Sequence, residues 1–165
     1  WPNKCWSTEK FGALAFRMHQ LYQLKSVVLW GPEEKDRAQA VVAASNGTAV
    51  LAPPSDLETL VELVRAGTIL VSGDTGPLHI AAAVGTPIVG LYGPSDPARN
   101  GPWSTQDVVV SRFRSCRCHQ ARNSNRSFRH VVRRCKSSMW CLDDIAVEDV
   151  RAAIESRLEG HLFSA

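Results

Sequence analysis

Short apolar runs alternate along this chain with segments whose apolar residues recur at helical spacing. Five runs have the length and β-branched character of buried strands: residues 26–30, 49–51, 68–72, 87–92 and 108–110. Helices are predicted between and around these strands. The first begins at Ser7 or Thr8, and the second follows the turn at 31–34 and runs to about Ser45. Three more are predicted over 57–65, 78–84 and 146–158. This alternation predicts an α/β fold, a parallel sheet with helices on both faces.

Two of these helices carry a clear apolar stripe that predicts their buried faces. The stripe of the first helix consists of Phe11, Leu14, Ala15, Met18, Leu21 and Tyr22. That of the helix over 57–65 consists of Leu57, Leu60, Val61 and Val64, and either Ser55 or Asp56 is expected to cap it.

The stretch 71–94 predicts one strand–turn–helix–strand unit. A glycine-rich turn, Gly73-Asp-Thr-Gly76, interrupts the apolar run, and Pro77 suits a first helical position. Gly85 is placed to end the helix in the left-handed conformation. The turn then lies at the carboxyl end of a parallel strand, the edge at which open α/β sheets bind ligands.

The turn offers several groups to an anionic ligand. Helix N-termini present unpaired amides, so the amides at Thr75 and Gly76 predict an anion site. The Asp74 carboxylate either caps the helix or accepts a hydrogen bond from a ligand hydroxyl, and His79 lies in the first turn. The alternative is structural: Asp74 and Thr75 only cap the helix, and His79 is a solvated neighbour.

Length and composition indicate a single domain over residues 1–165 that is large enough to bury a core. No apolar run approaches the roughly 20 residues of a membrane span, and no signal-peptide pattern opens the chain. Since residue 1 is Trp rather than Met, and no strand leads into the opening loop, we expect the chain to be the carboxyl-terminal part of a longer protein.

The net charge of +3 conceals a strongly basic segment within 111–142. Residues 108–142 contain nine Arg or Lys and no Asp or Glu, whereas the other residues carry ten basic and sixteen acidic side chains. Such a block is typical of a solvated loop or of a site for a polyanionic partner. Nucleic acid is not expected as that partner, because the interleaved aromatic residues of a stacking surface are missing.

Four cysteines in the same segment raise the possibility of a zinc site, formed by Cys116, Cys118, Cys135 and Cys141. His119 and His130 lie among them. The Cys-x-Cys and Cys-x5-Cys spacings differ from the usual paired Cys-x2-Cys of structural zinc sites. Free thiols are therefore favoured over zinc, and zinc over a disulfide.

The chain resembles glycosyltransferase family nine, which contains the ADP-heptose:lipopolysaccharide heptosyltransferases. The resemblance rests on Asp-Thr-Gly-Pro-x-His-x-Ala-x-Ala-x-Gly-x-Pro, beginning at Asp74, and on Leu-Tyr-Gly-Pro-Ser-x-Pro, beginning at Leu91. It implies a Rossmann-like α/β domain, the carboxyl-terminal, donor-binding half of a GT-B glycosyltransferase. The general base would then lie in an amino-terminal domain, so no catalytic residue is assigned to this chain.

The resemblance also implies further donor contacts. The loop 2–6 is similar to the family's Lys-x-Trp-Pro loop, although Ser7 replaces the proline, so Lys4 would meet the donor diphosphate. A Gly-x-x-Glu motif points to Glu34, rather than Glu33, as the ribose ligand. Ser55 would lie near the adenine, and Ser95 would contact phosphate or merely shape its turn. No metal or other cofactor is expected, because an Asp-x-Asp metal motif is lacking.

The implied activity is transfer of heptose from ADP-heptose to a lipopolysaccharide core acceptor, with this chain alone inactive. We expect a cytoplasmic location, with peripheral contact to the anionic inner membrane. Two alternatives stay open: a non-catalytic module that binds a nucleotide or nucleotide sugar, and another GT-B enzyme such as a nucleotide-sugar epimerase.

Overall fold

The chain folds into two compact units in a computed structural model that describes residues 2–116 and 140–159. The small unit is Ser7–Glu62, and the large unit combines Trp1–Trp6 with Leu63–Ala165. Both are parts of a chain predicted as one domain. Each has its own parallel strands and helices.

The small unit contains two whole helices, most of a third and a two-stranded parallel sheet. It comprises α1 (Thr8–Tyr22), β1 (Ser26–Val28), α2 (Lys35–Ala44), β2 (Ala49–Leu51) and most of α3 (Leu57–Ala66). Ser7 rather than Thr8 caps α1, because its hydroxyl accepts a 3.2 Å hydrogen bond from the amide of Lys10. A Cβ at Gly12 would lie 2.5 Å from that of Ala44, so glycine permits close packing of α1 on α2.

The predicted apolar stripes are only partly buried. Leu14, Ala15 and Met18 of α1 are buried, as predicted. Leu21 is 45% exposed and Leu57 is 68% exposed, so their predicted burial is wrong. Both residues lie in the end turns of their helices. The apolar pattern extends into these turns, although the packed part of the helix face ends before them.

The large unit is built on a three-stranded parallel sheet. Along the chain it contains β3 (Leu70–Gly73), α4 (Gly76–Val84), β4 (Ile88–Tyr92), α5 (Pro97–Asn100), β5 (Val108–Ser111) and α6 (Val147–Leu158). The central strand is β4, which pairs Ile88 with Leu70 of β3 and Val89 with Val108 of β5. All five residues of β4 are buried, so both faces of this strand are covered.

The observed order of elements confirms the predicted α/β fold of parallel strands alternating with helices, and the strands form two sheets. Most observed ends of helices and strands lie within one or two residues of the predicted ends. The clearest omission is α5, a short helix that lies outside every predicted helix. Two short 3₁₀ turns, Pro2–Lys4 and Cys141–Asp144, were also not predicted and contact each other within the large unit.

Ion pairs attach α6 to the rest of the large unit. Arg112, directly after β5, lies 2.6 Å from the carboxylate of Asp149. Arg157 lies 3.0 Å from Asp107, which is nearly buried and also accepts a hydrogen bond from the amide of Ile88. In the described part of the chain, no helix is both long and apolar enough to cross a membrane.

Candidate functional site

Lys4 and Asp74, 70 positions apart in the chain, form an ion pair in the large unit. The Lys4 ammonium nitrogen lies 2.7 Å from Oδ2 of Asp74. Lys4 ends the first 3₁₀ turn, and Asp74 directly follows β3. A Cβ at Gly73 would lie only 3.1 Å from the carbonyl oxygen of Lys4, so glycine at this position permits the close approach of the two backbones.

Asp74 does not cap α4, and the capping alternative is therefore wrong. The N-cap residue is Thr75, and its own side chain makes no capping hydrogen bond. The Thr75 hydroxyl instead lies 2.9 Å from that of Ser72. Because the Asp74 carboxylate is directed at Lys4, it is drawn away from the helix amides that a capping carboxylate would meet.

Asp74 is held as a carboxylate by several neighbours. Oδ2 also accepts a 3.3 Å hydrogen bond from the side-chain amide of Asn100. Burial acts to raise the pKa of Asp74, but hydrogen bonds from Lys4 and Ser95 and the charge of Lys4 outweigh it and lower the pKa. The nearly buried Ser95 hydroxyl contributes to this shift although its geometry falls short of a well-formed hydrogen bond. Asp74 therefore stays ionised at neutral pH.

Tyr92 and Asn100 belong to this cluster and were not predicted to. Tyr92, fully buried in β4, donates a 2.7 Å hydrogen bond from its hydroxyl to the carbonyl oxygen of Asn100. Burial and, secondarily, the charge of Asp74 raise the pKa of Tyr92, so its hydroxyl keeps the proton that it donates. Residues 93–102 are rich in turn-forming Gly, Pro, Ser and Asp, a composition that does not single out Asn100.

The N-terminus of α4 lies beside the ion pair and is open. A Cβ at Gly76 would meet no atom within 4 Å, which leaves space next to the first amides of the helix. His79, whose side chain is half exposed, places Nε2 at 3.7 Å from Oδ1 of Asp74. The large unit thus brings together five predicted residues: Lys4, Asp74, Thr75, Gly76 and His79. A cation, helix amides and an imidazole suit an anionic ligand, and the carboxylate suits ligand hydroxyls.

Glu34 and Ser55, the other predicted ligands, belong to the small unit. Glu34 is the N-cap residue of α2, and its Oε2 accepts a 3.0 Å hydrogen bond from the amide of Gly31. Glu33, with a left-handed backbone (φ 66°), lies in the turn that precedes this helix. Asp56, not Ser55, caps α3, since it accepts a 2.8 Å hydrogen bond from the amide of Thr59.

Two of the clustered cysteines lie close together. The Sγ atoms of Cys116 and Cys141 are 3.2 Å apart, within hydrogen-bond distance for sulfur. Cys118 and Cys135, with His119 and His130, lie outside the described residues. Within 2–116 and 140–159, no three His, Cys, Asp or Glu side chains converge to hold a metal ion. The zinc alternative depends on Cys118 and Cys135 and stays a prediction.

The chain is similar to known heptosyltransferases in sequence. It is 30% identical to a lipopolysaccharide core heptosyltransferase of Haemophilus influenzae over 113 residues, which are 67% of this chain and 32% of that protein. It is 34% identical to lipopolysaccharide heptosyltransferase 2 of Salmonella typhimurium over 116 residues, 66% of this chain and 32% of that protein. The chain thus spans about a third of the length of these curated relatives.

Solved structures and the family model agree with this similarity. A family 9 glycosyltransferase of Veillonella parvula superposes with a TM-score of 0.76 at 27% identity, covering 97% of this chain and 44% of that one. An E. coli heptosyltransferase solved with ADP, at 21% identity and a TM-score of 0.71, covers 95% of this chain and 41% of its own and shows likeness of fold alone. The model of glycosyltransferase family 9 (heptosyltransferase) matches residues 1–130. Since that match covers well over half of its residues, the chain belongs to glycosyltransferase family 9, the heptosyltransferase family.

Proposed function

We propose that this chain is the donor-binding half of a GT-B heptosyltransferase, that it binds ADP-heptose, and that the whole protein transfers heptose to a lipopolysaccharide core acceptor. The observation that carries the proposal is the Lys4–Asp74 ion pair beside the open N-terminus of α4. Support comes from relatives named as lipopolysaccharide heptosyltransferases and from fold neighbours described with ADP or as an ADP-heptose enzyme.

The diphosphate of the donor would lie against Lys4 and the amides at Thr75 and Gly76. The amides at a helix N-terminus and a lysine ammonium are both suited to phosphate oxygens. When the glycosidic bond breaks, negative charge grows on the diphosphate leaving group. Groups fixed in advance around that charge stabilise the transition state more than the ground state, which is the electrostatic contribution to catalysis. His79, in the first turn of α4, would share in this contact.

Asp74 would accept hydrogen bonds from hydroxyl groups of the sugar. Its lowered pKa keeps it ionised at neutral pH, which favours accepting hydrogen bonds but makes it a weak base. We therefore do not assign to it the deprotonation of the acceptor hydroxyl. That role is assigned to the part of the protein that binds the acceptor, so this chain by itself would bind donor without transferring heptose.

Two further elements of the proposal rest on sequence resemblance. In the small unit, Glu34 would accept a hydrogen bond from the ribose, and Ser55 would lie near the adenine. The basic segment 111–142 would favour the anionic lipopolysaccharide acceptor or the surface of the inner membrane, at a cytoplasmic location.

The experiment that tests the proposal is replacement of Lys4 by alanine, followed by calorimetric titration with ADP and AMP. Loss of a hydrogen bond to a charged group costs about 1.5–3 kcal/mol, so ADP affinity should fall roughly 10- to 150-fold. AMP lacks the terminal phosphate and should lose much less. Lys25→Ala removes the same charge from the loop between α1 and β1 and serves as the matched control. Equal losses for ADP and AMP would show that Lys4 does not meet the terminal phosphate.

A further inference from the structure

The Asp74 carboxylate is held in one orientation by donors that differ between its two oxygens. Oδ2 meets both the Lys4 ammonium, at 2.7 Å, and the Asn100 amide, at 3.3 Å. Oδ1 lies on the side of His79, 3.7 Å from its Nε2. A half-turn of the carboxylate would exchange the two oxygens, and any intermediate rotation would break both contacts to Oδ2. The orientation therefore depends on Lys4 and Asn100 together.

Asn100 is itself fixed in position by the core. Its carbonyl oxygen accepts the 2.7 Å hydrogen bond from Tyr92, which is fully buried in β4. Its backbone amide donates to the carbonyl oxygen of Asp96 at 3.0 Å, which closes the single turn of α5. The Asp96 side chain caps that turn by accepting a hydrogen bond from Ala98 at 2.9 Å. Asn100 thus presents its side-chain amide to Asp74 from a backbone held by two hydrogen bonds within a capped turn.

Lys4 and Asn100 would respond differently to a bound diphosphate. The Lys4 ammonium is attracted to phosphate oxygens, so its contact with Asp74 becomes shared when the donor binds. The Asn100 amide carries no net charge and has no comparable attraction to phosphate. The Asn100 amide would therefore keep its hydrogen bond to Oδ2 when the donor is bound and Asp74 contacts the sugar.

We propose that Asn100 is a positioning residue for donor recognition: its amide holds Oδ2 of Asp74 so that Oδ1 accepts a hydrogen bond from a sugar hydroxyl. This inference rests on the proposed function, and specifically on contact between Asp74 and the sugar. Tyr92 supports the arrangement by anchoring the carbonyl of Asn100. The role is distinct from that of Lys4, because Asn100 would act on recognition of the sugar and not of the diphosphate.

The first test compares ADP and ADP-heptose as ligands of the full 165-residue chain by calorimetric titration. Asn100→Ala should weaken ADP-heptose about tenfold, the loss expected for one hydrogen bond at a charged group, and change ADP by less than about twofold. Gln106→Ala, which removes an exposed side-chain amide from the loop after α5, should change neither. A merely structural role of Asn100 would weaken both ligands equally, and that result would overturn the proposal.

A second variant tests the same idea through pH. Asn100→Asp places another carboxylate next to Asp74, which would raise the pKa of Asp74. The pH at which ADP-heptose affinity falls on acidification (the acidic limb of the binding profile) should therefore be higher in Asn100→Asp than in the wild type. Asn100→Ala should move this limb less. Because the new charge also repels diphosphate, only the position of the limb is compared. An unmoved limb would contradict the proposal, and this readout stands even if Asn100→Ala proves too unstable to titrate.

Asp74→Asn separates this inference from the proposed function. If it leaves ADP-heptose affinity unchanged, Asp74 does not contact the sugar and both proposals fail at that point. If it weakens ADP-heptose while Asn100→Ala does not, the sugar contact stands and only the role of Asn100 is wrong.

Discussion

Replacement of Asp74 by asparagine tests the ion pair with Lys4 as a contribution to stability. The substitution keeps the size of the side chain and removes its charge. It leaves the ammonium of Lys4, whose side chain is 21% exposed, without the carboxylate at 2.7 Å. The Asp74 side chain is only 10% exposed, so the pair is neither fully solvated nor fully buried.

The expected loss follows from that intermediate burial. Hydrogen bonds to charged groups contribute about 1.5–3 kcal/mol when buried, whereas exposed ion pairs contribute about 0–1 kcal/mol. We expect Asp74→Asn to lower the free energy of unfolding by about 1–2 kcal/mol. For a protein of this size, each kcal/mol corresponds to roughly 2–4 °C in Tm, so Tm should fall by roughly 2–8 °C at neutral pH.

The dependence on pH has a definite sign. The pKa of Asp74 in the folded chain lies below its ordinary value of 3.8, so the stabilisation is fully present above about pH 3.8. It is lost as the pH falls through the folded-state pKa, because protonation then removes the charge that Lys4 stabilises. The difference in Tm between the wild type and Asp74→Asn should therefore be largest at neutral pH and shrink in acid.

Thermal unfolding followed by circular dichroism between about pH 3 and pH 7 measures this difference. Asp144→Asn changes an exposed carboxylate of the same unit and is the matched control, with little expected effect. A difference that stays constant over the whole pH range would refute the reasoning. So would an Asp74→Asn variant as stable as the wild type at neutral pH, since the ion pair would then contribute nothing measurable.

Two further predictions concern activity and the cysteines. The 165-residue chain should bind ADP-heptose but form no product with a lipopolysaccharide core acceptor in a radiolabel transfer assay, and detectable transfer would contradict the proposed division of roles. Since the Sγ atoms of Cys116 and Cys141 lie 3.2 Å apart, oxidised glutathione should join them by thiol–disulfide exchange, releasing two molecules of reduced glutathione. Peptide mapping without reductant would identify the link, and its absence after complete oxidation of the chain would count against this geometry.

Much of the local structure was predictable from the sequence because its causes are local. Ser7 caps α1, and Gly85 ends α4 with φ 81°. Each of these depends on residues within one turn of the position concerned. Where prediction failed locally, a neighbouring residue had another conformation or partner. The alternative in which Asp74 caps α4 fails because its carboxylate meets Lys4 instead.

The sequence by itself determined the alternation of strands and helices and the family motif. It also indicated Lys4 and Asp74, independently of each other, as candidate ligands of the donor. Only the tertiary structure decided that these two side chains meet, because 70 positions separate them and no periodic pattern relates them. It also decided that Asn100 joins them. Asn100 belongs to a four-residue helix, too short to show helical periodicity, and its place depends on a hydrogen bond from Tyr92 in the buried central strand.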